Sequence, residues 1–567
     1  MRYFPLGAVR RALVAVSIAA SVIAASGAAA AERDDKLAKI QHIVIIYMEN
    51  HSFDNLYGGW EGVNGLANAD AAHTIQVGQA GVSYTCLLQN DVNLTSPPLP
   101  ADCADATTGT PFVSHFTNAP FQIDADIPAS ARTCPQPGVF APNGLPPGPS
   151  NLPGGCTRDI VHRFYQEQYQ LDGGKQDRYT TGSDAVGLTQ GYYDTRALPI
   201  YAYLHGGAHP HYAIADDFFQ AAFGGSFLNH QWLVAAATPT YTGAPPNLHS
   251  ILDSNGMPNN YPLYHATGPV RDQPLTQVCP SLVPGLACGD YAVNTIQPTF
   301  QPTSSNPTKL PPQTGTTIGD ELSAAGVSWA WYSGGWSNAD GDVGAPGWTN
   351  GNTPGVCTDP DSFPNPAWPY CPNKVFQFHH QPLNYYASFA PGTPGRTHLR
   401  DEQEFLQLAQ SSTKECKLNS VSFIKPVGLE DEHPGYTSET RGSDHLVQLL
   451  QAIQGSRCAK DTMVVVTYDE FGGQWDHVSP PGQGGMPGPH DEWGPGTRIP
   501  ALVISPFLKG KFVVDHTQYD TTSILATIER RFGLQPLSSR DTAVNDLSNV
   551  FNAANVHGGQ DDDESED

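Results

Sequence analysis

Two short runs of consecutive apolar, mostly β-branched residues stand out along the chain. His42–Met48 reads His-Ile-Val-Ile-Ile-Tyr-Met, and Thr462–Tyr468 reads Thr-Met-Val-Val-Val-Thr-Tyr. Neither alternates with polar residues, so neither is the half-wetted strand of an antiparallel sheet. Runs of this length and branching predict strands buried on both faces, as in the parallel sheets of α/β proteins. Residues 501–505 (Ala-Leu-Val-Ile-Ser) predict a third core strand and residues 421–424 (Val-Ser-Phe-Ile) a fourth. Helical periodicity appears over residues 443–454 and 521–531. Between these elements, residues 75–155 and 235–315 are rich in Pro, Gly, Asn and Thr and have few periodic stretches. They read as loop-rich insertions laid over one face of the core. No internal repeat is visible.

Composition narrows the class. The chain has 567 residues, of which 39% are hydrophobic, enough to bury a sizeable core. Lys+Arg number 29 against 55 Asp+Glu, a net charge of −26. A chain this acidic repels phosphate backbones and anionic membrane surfaces, which excludes nucleic acid as its main ligand. Any phosphate site must therefore carry a local cation. The first 31 residues read as a signal peptide: Arg2, Arg10 and Arg11, then an apolar stretch over 12–25, then Gly27 and four alanines. The apolar stretch is short for a membrane span, so the mature chain is expected to have no transmembrane anchor and to be exported, periplasmic or secreted. The route, Sec or twin-arginine, stays open. All ten cysteines lie beyond residue 31. An even count in an exported chain predicts disulfides, and close pairs such as Cys279/Cys288 and Cys357/Cys371 predict short loop staples. The main domain is expected over 32–558, with an acidic, disordered tail at 559–567.

The chemistry gathers where the predicted strands end. Glu49-Asn50 follows the first run, and Asp469-Glu470 follows the second. Ligands of open α/β sheets sit beyond the carboxyl ends of strands. Acid and amide oxygens there suit a hard divalent cation, although a helix cap after Asn50 and a solvated turn after Glu470 are the plainer readings. The second doublet continues Phe471-Gly472-Gly473-Gln474-Trp475-Asp476-His477, adding a further acid and a histidine. Ser226, in Gly224-Gly225-Ser226, lies in a tight turn before a predicted helix, a seat for a nucleophile at an anion-binding helix start. A simple Gly-Ser helix cap fits as well. His162, the pair His379-His380 and His433 are the remaining candidates. Histidines hydrogen-bond phosphate oxygens and protonate leaving groups. There is no GxSxG elbow, no Walker loop and no HExxH pair.

Together these blocks resemble the bacterial phosphoesterase family of secreted acid phosphatases and haemolytic and non-haemolytic phospholipases C. The similarity spans roughly residues 40–535. It is strongest at Met48-Glu49-Asn50-His51-Ser52-Phe53-Asp54 and at Tyr468-Asp469-Glu470 with Trp475-Asp476-His477-Val478. His162-Arg163-Phe164 is similar to the family's His-x-Phe block. The resemblance implies an α/β, alkaline-phosphatase-like core with a central mostly parallel sheet flanked by helices, plus disulfide-stapled insertions. It implies one divalent metal on Glu49, Asn50, Asp469 and Glu470, with Ser226 both nucleophile and metal contact. It places His162, His379, His380 and His433 around the phosphate. Oxygen-rich ligation permits calcium, magnesium or manganese, and the histidines leave zinc or iron open. The Gly-Gly-Ser turn, the Phe378-His379-His380 block and an end soon after the helix at 521–531 favour the acid-phosphatase branch. That branch hydrolyses phosphomonoesters through a phosphoserine. A phospholipase C acting on phospholipid headgroups is the alternative, and a secreted non-catalytic binding protein is the reading from another class.

Overall fold

The computed structural model describes residues 31–89, 100–107, 111–125, 128–130, 159–296, 309–363 and 367–555. Its centre is one sheet, with nine strands among the described residues. In chain order they are β1 (His42–Met48), β2 (Tyr212–Ala215), β3 (Trp329–Ser333), β4 (Leu399–Asp401), β5 (Val421–Lys425), β6 (Thr462–Tyr468), β7 (Ala501–Ile504), β8 (Phe512–Asp515) and β9 (Ala554–Asn555). Their order across the sheet is β9-β8-β2-β7-β6-β1-β5-β3-β4. Strands β6, β1, β5, β3 and β4 run parallel. Strand β7 is antiparallel to both neighbours, β6 and β2, and β9 is antiparallel to β8. The two apolar runs of the sequence are thus central neighbours, and every residue of β6 is buried.

Eight helices matter for the site and its frame: α1 (Phe53–Leu56), α2 (Phe164–Leu171), α3 (Pro199–Leu204), α4 (Ser226–Ala235), α5 (Ile318–Ala324), α6 (Glu402–Ser411), α7 (Glu439–Gln454) and α8 (Thr522–Phe532). Helix α7 starts four residues before its periodic stretch. Ser438 caps it by accepting from the Arg441 amide, and the first turn buries a polar residue, Glu439, which apolar periodicity does not register. From 236 to 315 the described residues hold only one short 3₁₀ turn, Pro246–Leu248, and isolated bridges.

Four disulfides staple the chain. Cys86–Cys103, Cys279–Cys288 and Cys357–Cys371 close loops of 17, 9 and 14 residues. Cys416–Cys458 spans 42 residues and ties the approach to β5 to the approach to β6. It lies at the sheet edge opposite the carboxyl ends. The signal peptide (all but its last residue), the acidic tail, Cys134 and Cys156 lie outside the described residues. Among the described residues no helix is long and apolar enough to cross a membrane.

Candidate active site

Register places the first pair of acids. Strands β1 and β6 pair residue for residue from His42↔Thr462 to Met48↔Tyr468. They therefore end flush, and Glu49 leaves the sheet beside Asp469. The Asp469 amide donates to the Met48 carbonyl at 3.1 Å. On the other flank, β5 pairs Ile424 with Ile46, so Lys425 leaves the same edge one strand over.

Two glycines bring the remaining groups close. Gly224 holds φ at +90°, a conformation that side chains resist, and an added Cβ would lie 2.6 Å from the Phe164 amide nitrogen. The start of α4 can therefore press against the segment carrying His162. Gly472 holds φ at +62°, and a Cβ there would lie 2.2 Å from the Asn50 carbonyl oxygen. The loop after Glu470 can thus fold onto Asn50.

Ser226 opens α4 and touches both polar doublets. Its Oγ is 3.3 Å from Glu470 Oε1 and 3.5 Å from Asn50 Oδ1. Asn50 donates from Nδ2 to His433 Nε2 at 3.1 Å and lies 3.5 Å from His162 Nε2. His162 Nε2 is 3.4 Å from Glu470 Oε1. Glu49 Oε1 is 2.6 Å from His380 Nε2 and 3.0 Å from Lys425 Nζ. The turn carrying His379 and His380 is pinned to β3, where Trp331 and Ser333 donate to the His380 carbonyl at 2.8 and 2.7 Å. The two doublets, Ser226 and the four candidate histidines thus fall in one cluster, whereas Asp476 and His477 do not. Glu49, Asn50, Asp469 and Glu470 are fully buried beneath it. Ser226, His162, His379, His380 and His433 line a cavity of about 440 Å³ above, together with Arg163, Asn294 and Tyr436.

Buried, unpartnered donor atoms show what the cluster can hold. Glu49 Oε2, Asp469 Oδ2, His230 Nε2, His379 Nδ1 and His380 Nδ1 are buried without a hydrogen-bond partner. Buried carboxylate oxygens of this kind demand a compensating charge. Glu49, His230 and Asp469 each offer an atom within 4.8 Å of the others, as do Glu49, His379 and His380. A hard or borderline divalent ion fits this mix of carboxylate and imidazole donors.

Electrostatics at the cluster are uneven. Burial works against the Glu49 carboxylate, but His380 and Lys425 outweigh it and hold its pKa well below the ordinary range. Burial, and then the Glu49 charge, push Asp469 well up. Burial and Asp469 do the same to Glu470. Burial lowers His433, lowers His379 and His230 strongly, and takes His380 to about 4 despite Glu49. Burial thus disfavours the charged form of all four rings.

The sequence pattern of the Phosphoesterase family matches residues 40–535. This chain belongs to that family. Phospholipase C A of Mycobacterium tuberculosis is 23% identical over 551 residues, covering 91% of this chain and 78% of that protein. A non-hemolytic phospholipase C of Burkholderia pseudomallei is 29% identical over 246 residues, 38% of this chain and 32% of that protein. Among solved structures, a Vibrio parahaemolyticus protein of the alkaline phosphatase superfamily covers 40% of this chain and 51% of its own, at 13% identity. Its TM-score of 0.21 is too low to identify a fold. The protein is a hydrolase acting on phosphoric ester bonds.

The cluster also holds residues that the sequence reading did not single out. His230 lies one helical turn after Ser226 and reaches its carbonyl from Nδ1 at 2.8 Å, with Asp469 Oδ2 at 3.6 Å. The signal was there, since residues four apart share a helix face. Lys425 ends an apolar strand at the carboxyl edge, the same position that flagged Glu49 and Asp469. Asp476 and His477, by contrast, stand apart from the doublet that precedes them. With Asp54 they surround Arg498, whose guanidinium is 3.1 Å from an oxygen of each acid. The Phe53 amide donates to the Arg498 carbonyl and the Asp54 amide to Asp476 Oδ2, both at 3.0 Å. This buried network ties the loop after β1 to the loop after β6 and so fixes the spacing of the two doublets.

Proposed function

We propose that this phosphoesterase is an exported, divalent-metal-dependent acid phosphatase that hydrolyses phosphomonoesters through a phosphoserine at Ser226. One observation carries the reading: a hydroxyl at a helix start, four imidazoles and an amide-bearing acid doublet converge on one polar cavity end. A phosphomonoester offers three non-bridging oxygens, enough to engage such a set. A divalent ion on Glu49, Asn50, Asp469, Glu470 and the Ser226 hydroxyl supplies positive charge and a lowered hydroxyl pKa when bound. Ser226 Oγ attacks phosphorus as its proton passes to Glu470 Oε1, 3.3 Å away, and the Ser-O–P bond forms as the bond to the leaving oxygen breaks. His162, the least buried of the cavity histidines with 18% of its side chain exposed, protonates that oxygen. Its Nδ1 is fixed on the Ile160 carbonyl at 2.5 Å, which leaves Nε2 for the transfer. Asn50 and His433 orient the phosphoryl oxygens. Water then opens the phosphoserine, with His162 Nε2 taking its proton.

Ser226→Ala should keep the fold and lower kcat by at least about 10³-fold. Acid quenching during turnover should leave a phosphoryl group on the peptide containing Ser226. Residual activity within about tenfold of the parent, or a phosphoryl group elsewhere, moves the nucleophile. Because a protonated imidazole must supply the leaving group's proton, the rate should fall toward alkaline pH. A steady rise to pH 9 speaks against it. The second reading, phospholipase C, is favoured by the names of the relatives. Comparing hydrolysis of a chromogenic phosphomonoester with that of a chromogenic phosphocholine diester separates the two. Failure on both would leave neither substrate class supported.

A further inference from the structure

Lys425 is a fully buried lysine inside a centre suited to a divalent cation. Its backbone is fixed by the sheet, where it pairs with Ser333 of β3. Its ammonium lies 3.0 Å from Glu49 Oε1 and 3.4 Å from Asp431 Oδ2, and both carboxylates are fully buried. Asp431 is itself fixed: its carbonyl accepts the Glu49 amide at 2.8 Å, and its Oδ1 accepts the His433 amide at 3.1 Å. Glu49 is consequently two-faced. Oε1 lies against Lys425 and His380, while Oε2 is buried without a hydrogen-bond partner, 3.9 Å from His433 Nε2.

Four fully buried carboxylates share this edge of the sheet: Glu49, Asp431, Asp469 and Glu470. One divalent ion offsets two of the four charges. Many phosphoryl-transfer sites offset the rest with a second ion about 3.5–4 Å from the first. Here an ammonium delivered by the chain already lies against both Glu49 and Asp431, the two carboxylates such an ion would bridge. A lysine ammonium needs no dehydration of a free ion, so the sheet supplies this cation permanently. We infer that Lys425 stands in the place of a second metal ion between Glu49 and Asp431 and makes this a one-metal centre by construction. The inference rests on the metal-dependent reading above and adds a role for a residue outside the ligand set. Lys425 is a positioning residue in this arrangement. It touches no substrate, and acts by holding Glu49 with one oxygen turned to the single ion.

The test uses manganese(II) alone, on the full chain stripped with a chelator and reloaded. The parent should bind one ion per chain even at millimolar excess, with the electron paramagnetic resonance signal of an isolated ion. Two ions per chain with an exchange-coupled signal overturn the inference while leaving the metal-dependent reading intact. No bound manganese overturns both. Lys425→Ala opens the space between the two carboxylates and should double the bound manganese, to two ions per chain with a coupled signal. A folded Lys425→Ala protein that still binds one ion, or none, overturns the inference. Should that variant fail to fold, the stoichiometry and spectrum of the parent decide.

Discussion

Glu49 shows how one residue can combine structural and chemical demands. Its backbone continues β1 and its amide is held by Asp431. One carboxylate oxygen is held by His380 and Lys425, and the other is buried without a hydrogen-bond partner. Glu49→Gln removes the charge while keeping the shape. It should weaken binding of a divalent ion by at least about 100-fold, read by calorimetric titration of the stripped protein. Unchanged affinity would remove Glu49 from the ligand set. The sequence made Glu49 visible because an acid directly after a buried run needs a partner. It hid His230 and Lys425, because a single titratable residue on an otherwise apolar helix or strand is most often structural. Only the register of three neighbouring strands shows that Lys425, Glu49 and Asp469 emerge together.

At the level of elements, the parallel strands β1, β5 and β6 were legible as unbroken apolar runs. Strands β2, β3 and β8 were not, because they are short or aromatic and sit among loop-rich segments where no period develops. Nor does the sequence say that β7 runs antiparallel, since burial on both faces looks the same in either direction. Helices α6 and α7 are joined by a pair that periodicity cannot reveal. His445 Nε2 lies 2.8 Å from Glu402 Oε1. Burial opposes the imidazolium, but Glu402 outweighs it and raises the His445 pKa to about 9. A histidine whose pKa is higher in the folded state contributes stability in full below its unfolded value of about 6.5. That contribution is lost as pH rises through about 9. Thermal unfolding should therefore show stability falling between about pH 6.5 and 9, and His445→Gln should flatten the fall. A variant with the parent's pH dependence would show that the pair does not set it.

For the molecule as a whole, net charge and local charge oppose each other. The chain carries −26 overall, yet its substrate class is anionic. The long-range field repels the substrate, and only the cavity's own groups attract it. Added salt screens the former over roughly 8–10 Å more than it screens a buried site. The kcat/KM for a dianionic phosphomonoester should thus rise roughly two- to fivefold between about 10 and 150 mM ionic strength. A fall over that range would mean that local positive charge dominates the approach. All of this chemistry depends on two polar doublets, more than 400 residues apart in sequence, meeting at one point because β1 and β6 end in register. Anomalous scattering from a manganese-soaked crystal tests that most directly. The expected result is a single peak roughly 2.0–2.6 Å from oxygens of Glu49 and Asp469 and from Ser226 Oγ. A peak elsewhere, or one that Glu49 and Asp469 do not share, would contradict it.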